Sequence, residues 1–278
     1  MRDMKDRANN APKAITSLTN DRVKAIRALD MRKVRKETGL FVAEGASLLV
    51  TARDNGFTPE TIAYQAGSIE SGIAKGLVTW ALKEGAEVLE VSEAVLAKLS
   101  SKDNPQTMLG VFRQRFTAAP KPAAVAQPET WLALEEVRDP GNLGTIIRTC
   151  DAVGVSGVIL AGNCCDPYSL EAIRATMGSI FSVPLVKLER EALLRLMTDW
   201  PGDVVATDLD AREDFRKVDY RGPQLVVMGS EGPGLSADAS SAATRRVKIP
   251  MSGNLDSLNL AIATALTLYH IRGPHLKM

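Results

Sequence analysis

The sequence predicts an α/β protein: a C-terminal, mostly parallel sheet with helices on both faces, preceded by a smaller N-terminal α/β unit. Three observations carry this. From residue 131 onward, short apolar runs alternate with amphipathic helical patterns, the signature of a parallel sheet covered by helices. "FTAAPKPAAVAQPET", Phe116 to Thr130, is rich in Ala and Pro and lacks apolar periodicity, so it reads as an extended linker. Before it, mixed strand and helix signals fill residues 15–115. The chain thus divides into a flexible tail at 1–14, an α/β unit at 15–115, a linker at 116–130 and the larger sheet unit at 131–278.

In the N-terminal unit, "TNDRVKAIRALDMRKVRKETG" offers Asn20 as an N-cap and Gly39 as a stop, which predicts one helix over Asp21–Glu37. Val23, Ile26, Leu29 and Val34 form its apolar stripe. "LFVAEG" is a short strand, and "ASLLVTARDNG" a helix ending at Gly56. "TIAYQ", "AEVLEV" and "TMLGVF" are further strands with helices between them. After the linker come "TWLALEEV" as a strand and "NLGTIIRTCDAVGV" as a helix capped by Asn142. "GVILAG" and "VPLVKL" are strands around the helix "YSLEAIRATMG". The helix "REALLRLMTDW" precedes the strands "DVVATDL" and "PQLVVMG". "RRVKIPM" is the last strand, and the final helix starts near Ser257.

Composition narrows the function. With 278 residues, 45% of them hydrophobic, the chain buries a sizeable core. No apolar run reaches the roughly 18 residues of a membrane span, and "MRDMKDRANNAPKAITS" lacks the apolar region of a secretory signal. Cys150, Cys164 and Cys165 form no CxxC pair and fit reduced thiols in a cytosolic protein. The only histidines are His270 and His275, which argues against a metal site or a Ser-His-Asp triad. The net charge of +1 is unevenly spread: residues 1–36 hold eleven basic and four acidic residues, +7, leaving −6 for the remainder. Such an arm suits a polyanion, through Arg32, Lys33, Arg35 and Lys36, and reads equally as a solvated helix face.

Ligands on parallel sheets bind at the carboxyl ends of strands, and three loops there carry polar groups. In "EEVRDPGNLGTIIRTCDAVGV" a helix N-terminus suited to an anion carries Asn142 and, on its second turn, Arg148; an ordinary capped helix with an exposed Arg fits as well. In "LVVMGSEGPGLS", Gly229, Gly232 and Gly234 let the backbone approach a ligand, and Glu231 lies among them. The order G-x-x-G-x-G is not the dinucleotide fingerprint. The ribose-binding acid due about 20 residues later is also missing: position 254 is Asn and Asp256 lies in a loop. Alone, this loop is a plain glycine turn. In "VKIPMSGNLDSLNLAIATAL", Ser257 and Asn259 bracket Leu258 at the mouth of an apolar helix.

Together, "DPGNLGTIIRTCDAVGV", "VMGSEGPGLS" and "IPMSGNLDSLNLAIATAL", in this order and spacing, resemble the SpoU/TrmH family of RNA ribose 2′-O-methyltransferases. "SLEAIRATMGSIFSVP" looks like the family too. "ITSLTNDRVKAIRALDMRKVRKETGLFVAEGASLL" is similar to the ribosomal-protein-like substrate-binding domain of many members, so nearly all of the chain beyond residue 14 is covered. The resemblance implies a C-terminal trefoil knot that binds S-adenosylmethionine, methyl transfer to RNA, a homodimer and a cytoplasmic location, with no metal and no membrane. The extra N-terminal domain favours ribosomal over transfer RNA by analogy.

Matched motif by motif, the resemblance assigns Gly229, Ile249 and Leu258 to the cofactor, with Met228, Glu231, Gly232 and Met251 beside them. It assigns Asn142, Arg148, Glu231, Ser257 and Asn259 to the reacting centre, and Arg174 to a phosphate, although a surface helical Arg reads equally well. Ala261 stands where many members have Ser. A guanidinium hardly ever deprotonates, so Arg148 is expected to clamp phosphate and stabilise alkoxide charge, with Asn142 orienting it or the ribose. The alternatives are the same activity on transfer RNA, or a non-catalytic RNA-binding protein that keeps the fold.

Overall fold

The computed structural model describes residues 11–69, 72–100, 106–254 and 257–276. Of the tail expected at 1–14, residues 1–10 lie outside them, as does Asp256. The chain forms two units, Met1–Gln114 with Tyr168–Ile173, and Arg115–Pro167 with Arg174–Met278.

The smaller unit runs β1 (Lys13–Ile15), α1 (Asp21–Ala28), α2 (Arg32–Thr38), β2 (Leu40–Glu44), α3 (Ala46–Asp54), β3 (Pro59–Gln65), α4 (Gly72–Glu84), β4 (Glu87–Val91), α5 (Glu93–Leu99) and β5 (Met108–Arg113). Its sheet has the order β1-β4-β3-β5-β2. β1, β4 and β3 are parallel, whereas β5 is antiparallel to both β3 and β2. Ile15, Val23, Ile26, Leu29, Val42, Leu89, Leu96 and Leu109 share one buried cluster.

Three sequence expectations change here. The single helix over Asp21–Glu37 is two helices, α1 and α2, parted at Leu29–Met31. The break is held by Arg35, whose Nη1 donates to Leu29 O (2.7 Å) and Asp30 O (2.9 Å). The guanidinium thus satisfies carbonyls that the end of α1 leaves without helical partners. Arg35 is 4% exposed, so it is a core residue and not the surface RNA contact expected. Arg32, Lys33 and Lys36 remain exposed. β1 lies partly within the expected tail. It has three residues, of which only Ile15 is buried, too short for a period to show. Glu87 on β4 ties it down, accepting from Lys13 Nζ (2.7 Å) and from Arg22 Nε of α1.

In the Ala/Pro-rich stretch, the Thr117 N–H donates to Leu185 O (2.8 Å), and Ala119 and Val125 pack against the core of the larger unit. The chain then runs β6 (Thr130–Glu135), α6 (Pro140–Val153), β7 (Gly157–Ala161), α7 (Leu170–Thr176), β8 (Leu185–Leu188), α8 (Arg190–Thr198), β9 (Val204–Thr207), β10 (Glu213–Asp214), β11 (Gln224–Met228), α9 (Ala237–Ala242), β12 (Arg245–Lys248) and α10 (Leu260–Arg272). Among the described residues the sheet has seven parallel strands in the order β10-β12-β9-β11-β6-β7-β8. β6, β7 and β11 are buried throughout, as strands covered on both faces must be. From β6 the chain builds outward through β7 and β8. It then returns to the other side, where β11 lies against β6. The switch point between β6 and β11 is where such sheets bind ligands, and the loops after these two strands hold the first two motifs.

Candidate active site

The loop after β6 enters α6 through Asp139, not Asn142. Asp139 is the N-cap, its Oδ1 accepting from the Asn142 N–H (2.6 Å), and Pro140 takes the first helical position. Pro lacks the N–H that a first turn cannot use anyway, so the D-P pair is the stronger start signal. The shift releases the Asn142 side chain from capping. Its Nδ2 donates to Glu231 Oε1 (2.9 Å) and its Oδ1 accepts from Asn259 Nδ2 (2.9 Å). Asn259 in turn caps α10, which begins at Leu260 and not near Ser257. Its Oδ1 accepts from the N–H groups of Ala261 (2.9 Å) and Ile262 (3.3 Å).

These bonds all run one way. Backbone N–H groups of α10 donate to Asn259, Asn259 donates to Asn142, and Asn142 donates to the Glu231 carboxylate. The helix fixes which end of the Asn259 amide is oxygen, and that orientation propagates to Asn142. Polar residues stand at the mouth of an apolar helix because one caps it and links the cap to the loop after β11. Burial pushes the Glu231 carboxyl up. Hydrogen bonds from Asn142 and from the backbone N–H groups of Glu231, Arg138 and Asp139 outweigh this and hold it below its ordinary value.

The glycine loop after β11 folds on itself: Ser230 and Gly234 exchange N–H to O bonds of 3.1 Å in both directions. Gly229 permits this. A Cβ there would sit 2.0 Å from the Gly234 carbonyl carbon, so Gly229 is required for closure of the loop itself. Gly232 and Gly234 have φ of +100° and +71°, a region that suits glycine.

Beside this loop lies a cleft of about 460 Å³, lined by the ends of β9, β11 and β12 and the start of α10. It gathers the residues assigned from the second and third motifs, Met228, Gly229, Glu231, Gly232, Ile249, Met251, Ser257, Leu258 and Asn259, whereas Asn142 and Arg148 of the first motif are not in its lining. The sequence reading missed Thr207, Asp208, Leu209 and Lys248, which also line it. Their one signal was their place at the ends of "DVVATDL" and "RRVKIPM", and only the strand order brings those ends next to the glycine loop.

Arg148 is exposed on α6 and makes no hydrogen bond or ion pair among the described residues. Arg174, on the last turn of α7, is not among the residues lining the cleft. Cys165 is a thiol of low reactivity: burial, with Cys164, Glu231 and Asp139 adding to it, pushes it up to about 12.

The description of the SpoU rRNA Methylase family matches residues 129–269, and that of an MRM3-like substrate binding domain matches residues 20–110. An uncharacterised tRNA/rRNA methyltransferase from Synechocystis is 34% identical over 263 residues, which is 93% of this chain and 93% of that protein. A 23S rRNA (guanosine(2553)-2′-O)-methyltransferase from Bacillus subtilis is 27% identical, over 94% of this chain and 100% of its own length. The crystal structure of an AdoMet-bound rRNA methyltransferase from Sinorhizobium meliloti is similar with a TM-score of 0.88 at 42% identity, covering 95% of this chain and 99% of that one.

Proposed function

The chain belongs to the SpoU rRNA methylase family, and from this we propose that it methylates a ribose 2′-hydroxyl of ribosomal RNA with S-adenosylmethionine. The observation that carries the reading is the bonded chain of Asn259, Asn142 and Glu231, which joins all three motifs at the edge of one cleft. A protein that kept only the fold for RNA binding would have no need of it.

The cleft fits the cofactor. Its volume is in the range of small-molecule sites, which are concave and mostly apolar with a few placed polar groups. Leu258 is left 39% exposed there, apolar surface that a planar heterocycle would cover. Gly229, Ile249 and Leu258 would hold the cofactor through backbone groups, with Met228, Gly232 and Met251 beside them. S-adenosylmethionine, when bound, supplies a methyl group already activated on a sulfonium. The chain's own residues then have to place the ribose oxygen and manage its proton. Glu231, held ionised, and Ser257 line the cleft as acceptors for that hydroxyl. Arg148 has its charge uncommitted, so it meets the RNA phosphate or the developing alkoxide. Arg32, Lys33 and Lys36 in the smaller unit, and Arg174, are the cations offered to the RNA backbone.

A homodimer and a C-terminal knot belong to the same proposal. α10 leaves Ile262, Leu266 and Tyr269 exposed at helical spacing, an apolar stripe that a second copy would cover. Its Arg272 reaches back to Val153 O (3.1 Å) at the end of α6 and to Pro128 O (2.6 Å), contacts that support a returning C-terminal segment. No described helix is long and apolar enough to cross a membrane. A cytoplasmic location belongs to the proposal on a different ground, the ribosomal RNA substrate.

The test is to incubate the purified protein with labelled S-adenosylmethionine and ribosomal RNA from cells lacking the gene, and to map 2′-O-methyl groups. Label at one ribose of ribosomal RNA is expected. Label in transfer RNA alone would overturn the substrate, and failure to bind S-adenosylmethionine would overturn the activity.

A further inference from the structure

Glu135 ends β6 and is 3% exposed. This buried carboxylate lies outside the Asn259–Asn142–Glu231 chain, yet its partners lead to the same loop. Oε1 accepts from Ser236 Oγ (2.7 Å) and from Arg190 Nε at the start of α8 (2.9 Å), and Oε2 accepts from the Ser236 N–H (2.8 Å). Ser236 closes the glycine loop and caps α9.

That loop is a thin partition. On one side it lines the cofactor cleft. On the other it lines a smaller cleft of about 140 Å³, whose floor includes Glu135, Glu136 and Arg190. Ser230 and Gly234 line both. The chain from the end of β6 to the first turn of α6 grips the partition at two points. At one end the Arg138 N–H (3.3 Å) and Asn142 hold Glu231; at the other Glu135 holds Ser236. Between the grips, Glu136 has a φ of 54°, an uncommon left-handed conformation for a side-chain-bearing residue.

We propose that Glu135 is a positioning residue for the cofactor: through Ser236 it fixes the glycine loop in the shape that forms the cleft wall. The proposal rests on the functional reading for the identity of the ligand. A buried carboxylate is costly to keep unless its acceptors are used, and here every named partner is a donor. Glu135→Gln keeps the size but brings an NH2 group against a donor whichever way the amide turns. The loop loses its rear support while the apolar packing stays.

The test uses the full-length protein. Calorimetry with S-adenosylmethionine should show Kd for E135Q raised by about tenfold or more, as expected when a buried donor loses its acceptor. KM for S-adenosylmethionine should rise and KM for RNA stay as in wild type. Amide hydrogen exchange without cofactor should quicken at Ser230 and Gly234 and stay slow in β7. An unchanged Kd, or exchange that quickens equally through β6, β7 and β11, would overturn the proposal. Should E135Q fail to fold, Ser236→Ala removes one contact from the loop side. It should raise Kd several-fold with the same confined exchange, and a wild-type Kd would again overturn the proposal. If wild type binds no S-adenosylmethionine, the functional reading falls, and the exchange pattern still decides whether Glu135 holds the loop.

Discussion

Asn142→Ala separates what the polar chain does for stability from what it does for chemistry. The change deletes two hydrogen bonds of 2.9 Å, to Glu231 and from Asn259. Both partners are exposed, so water replaces much of what is lost, and each bond contributes only about 0.5–1.5 kcal/mol net. The capping bond survives, because Asp139 accepts from the residue-142 backbone. Alanine within the helix also returns up to about 0.7 kcal/mol of propensity. The net cost is therefore about 1 kcal/mol, a fall in Tm of about 2–4 °C for a unit of this size. The rate should fall far more, on the order of 100-fold, since the preorganised orientation at the reacting centre is gone. Without Asn142, Glu231 loses a contact that lowers its pKa. Its carboxyl moves up toward the ordinary value, and the acid limb of the pH–rate profile shifts to higher pH. Asn142→Asp should shift that limb further, because a second carboxylate then faces Glu231. The assay is single-turnover methyl transfer at saturating RNA across acid to neutral pH, beside thermal melts. A rate within about threefold of wild type, or an unmoved acid limb, would refute the role given to Asn142.

Arg148→Ala should leave S-adenosylmethionine affinity near wild type and cut single-turnover transfer on the order of 100-fold to 1000-fold; Arg148→Lys should rescue little if the planar fork matters, and full activity of the alanine variant would remove Arg148 from the mechanism. Neutralising Arg32, Lys33 and Lys36 together should flatten the salt dependence of RNA affinity by roughly 0.7 to 0.9 per lost phosphate contact, with an unchanged slope showing a merely solvated face. Arg35→Ala should instead lower the stability of the smaller unit by about 2 kcal/mol, since it strips charged donors from two carbonyls, as denaturant titration would measure. Gly229→Ala should abolish cofactor binding by forcing the loop open at a 2.0 Å backbone approach, and retained affinity in calorimetry would show that the loop tolerates a side chain.

The sequence was most legible where local signals suffice. Buried strands such as "LVVMG" and "GVILAG" read as unbroken apolar runs, and their order within the chain predicted a parallel sheet. Helix ends were less legible. Asn142 and Asp139 are both good caps, and the choice between them depends on Pro140. The break between α1 and α2 lies inside a continuous helical pattern, and a buried arginine from the following turn holds it. The candidate site was legible only as three separate motifs. Asn142 bonds to residues 89 and 117 positions away, and no periodicity reports pairings that distant. For the same reason Glu135 read as one more strand residue, although its partner Ser236 lies 101 positions on.

The one-way run of donors from α10 through Asn259 and Asn142 to Glu231 bears on the protein during its own synthesis. Asn142 leaves the ribosome 117 residues before Asn259, roughly 6–23 s earlier at ordinary elongation rates. During that interval the whole of the smaller unit's sheet is already made. The carboxylate of Glu231 has no oriented amide beside it until the last helix is translated and docked. A chain that stops short of Asn259 lacks the donor that orients the Asn142 amide toward Glu231. In the order of the motifs along the gene, Asn259 is the residue that completes the run.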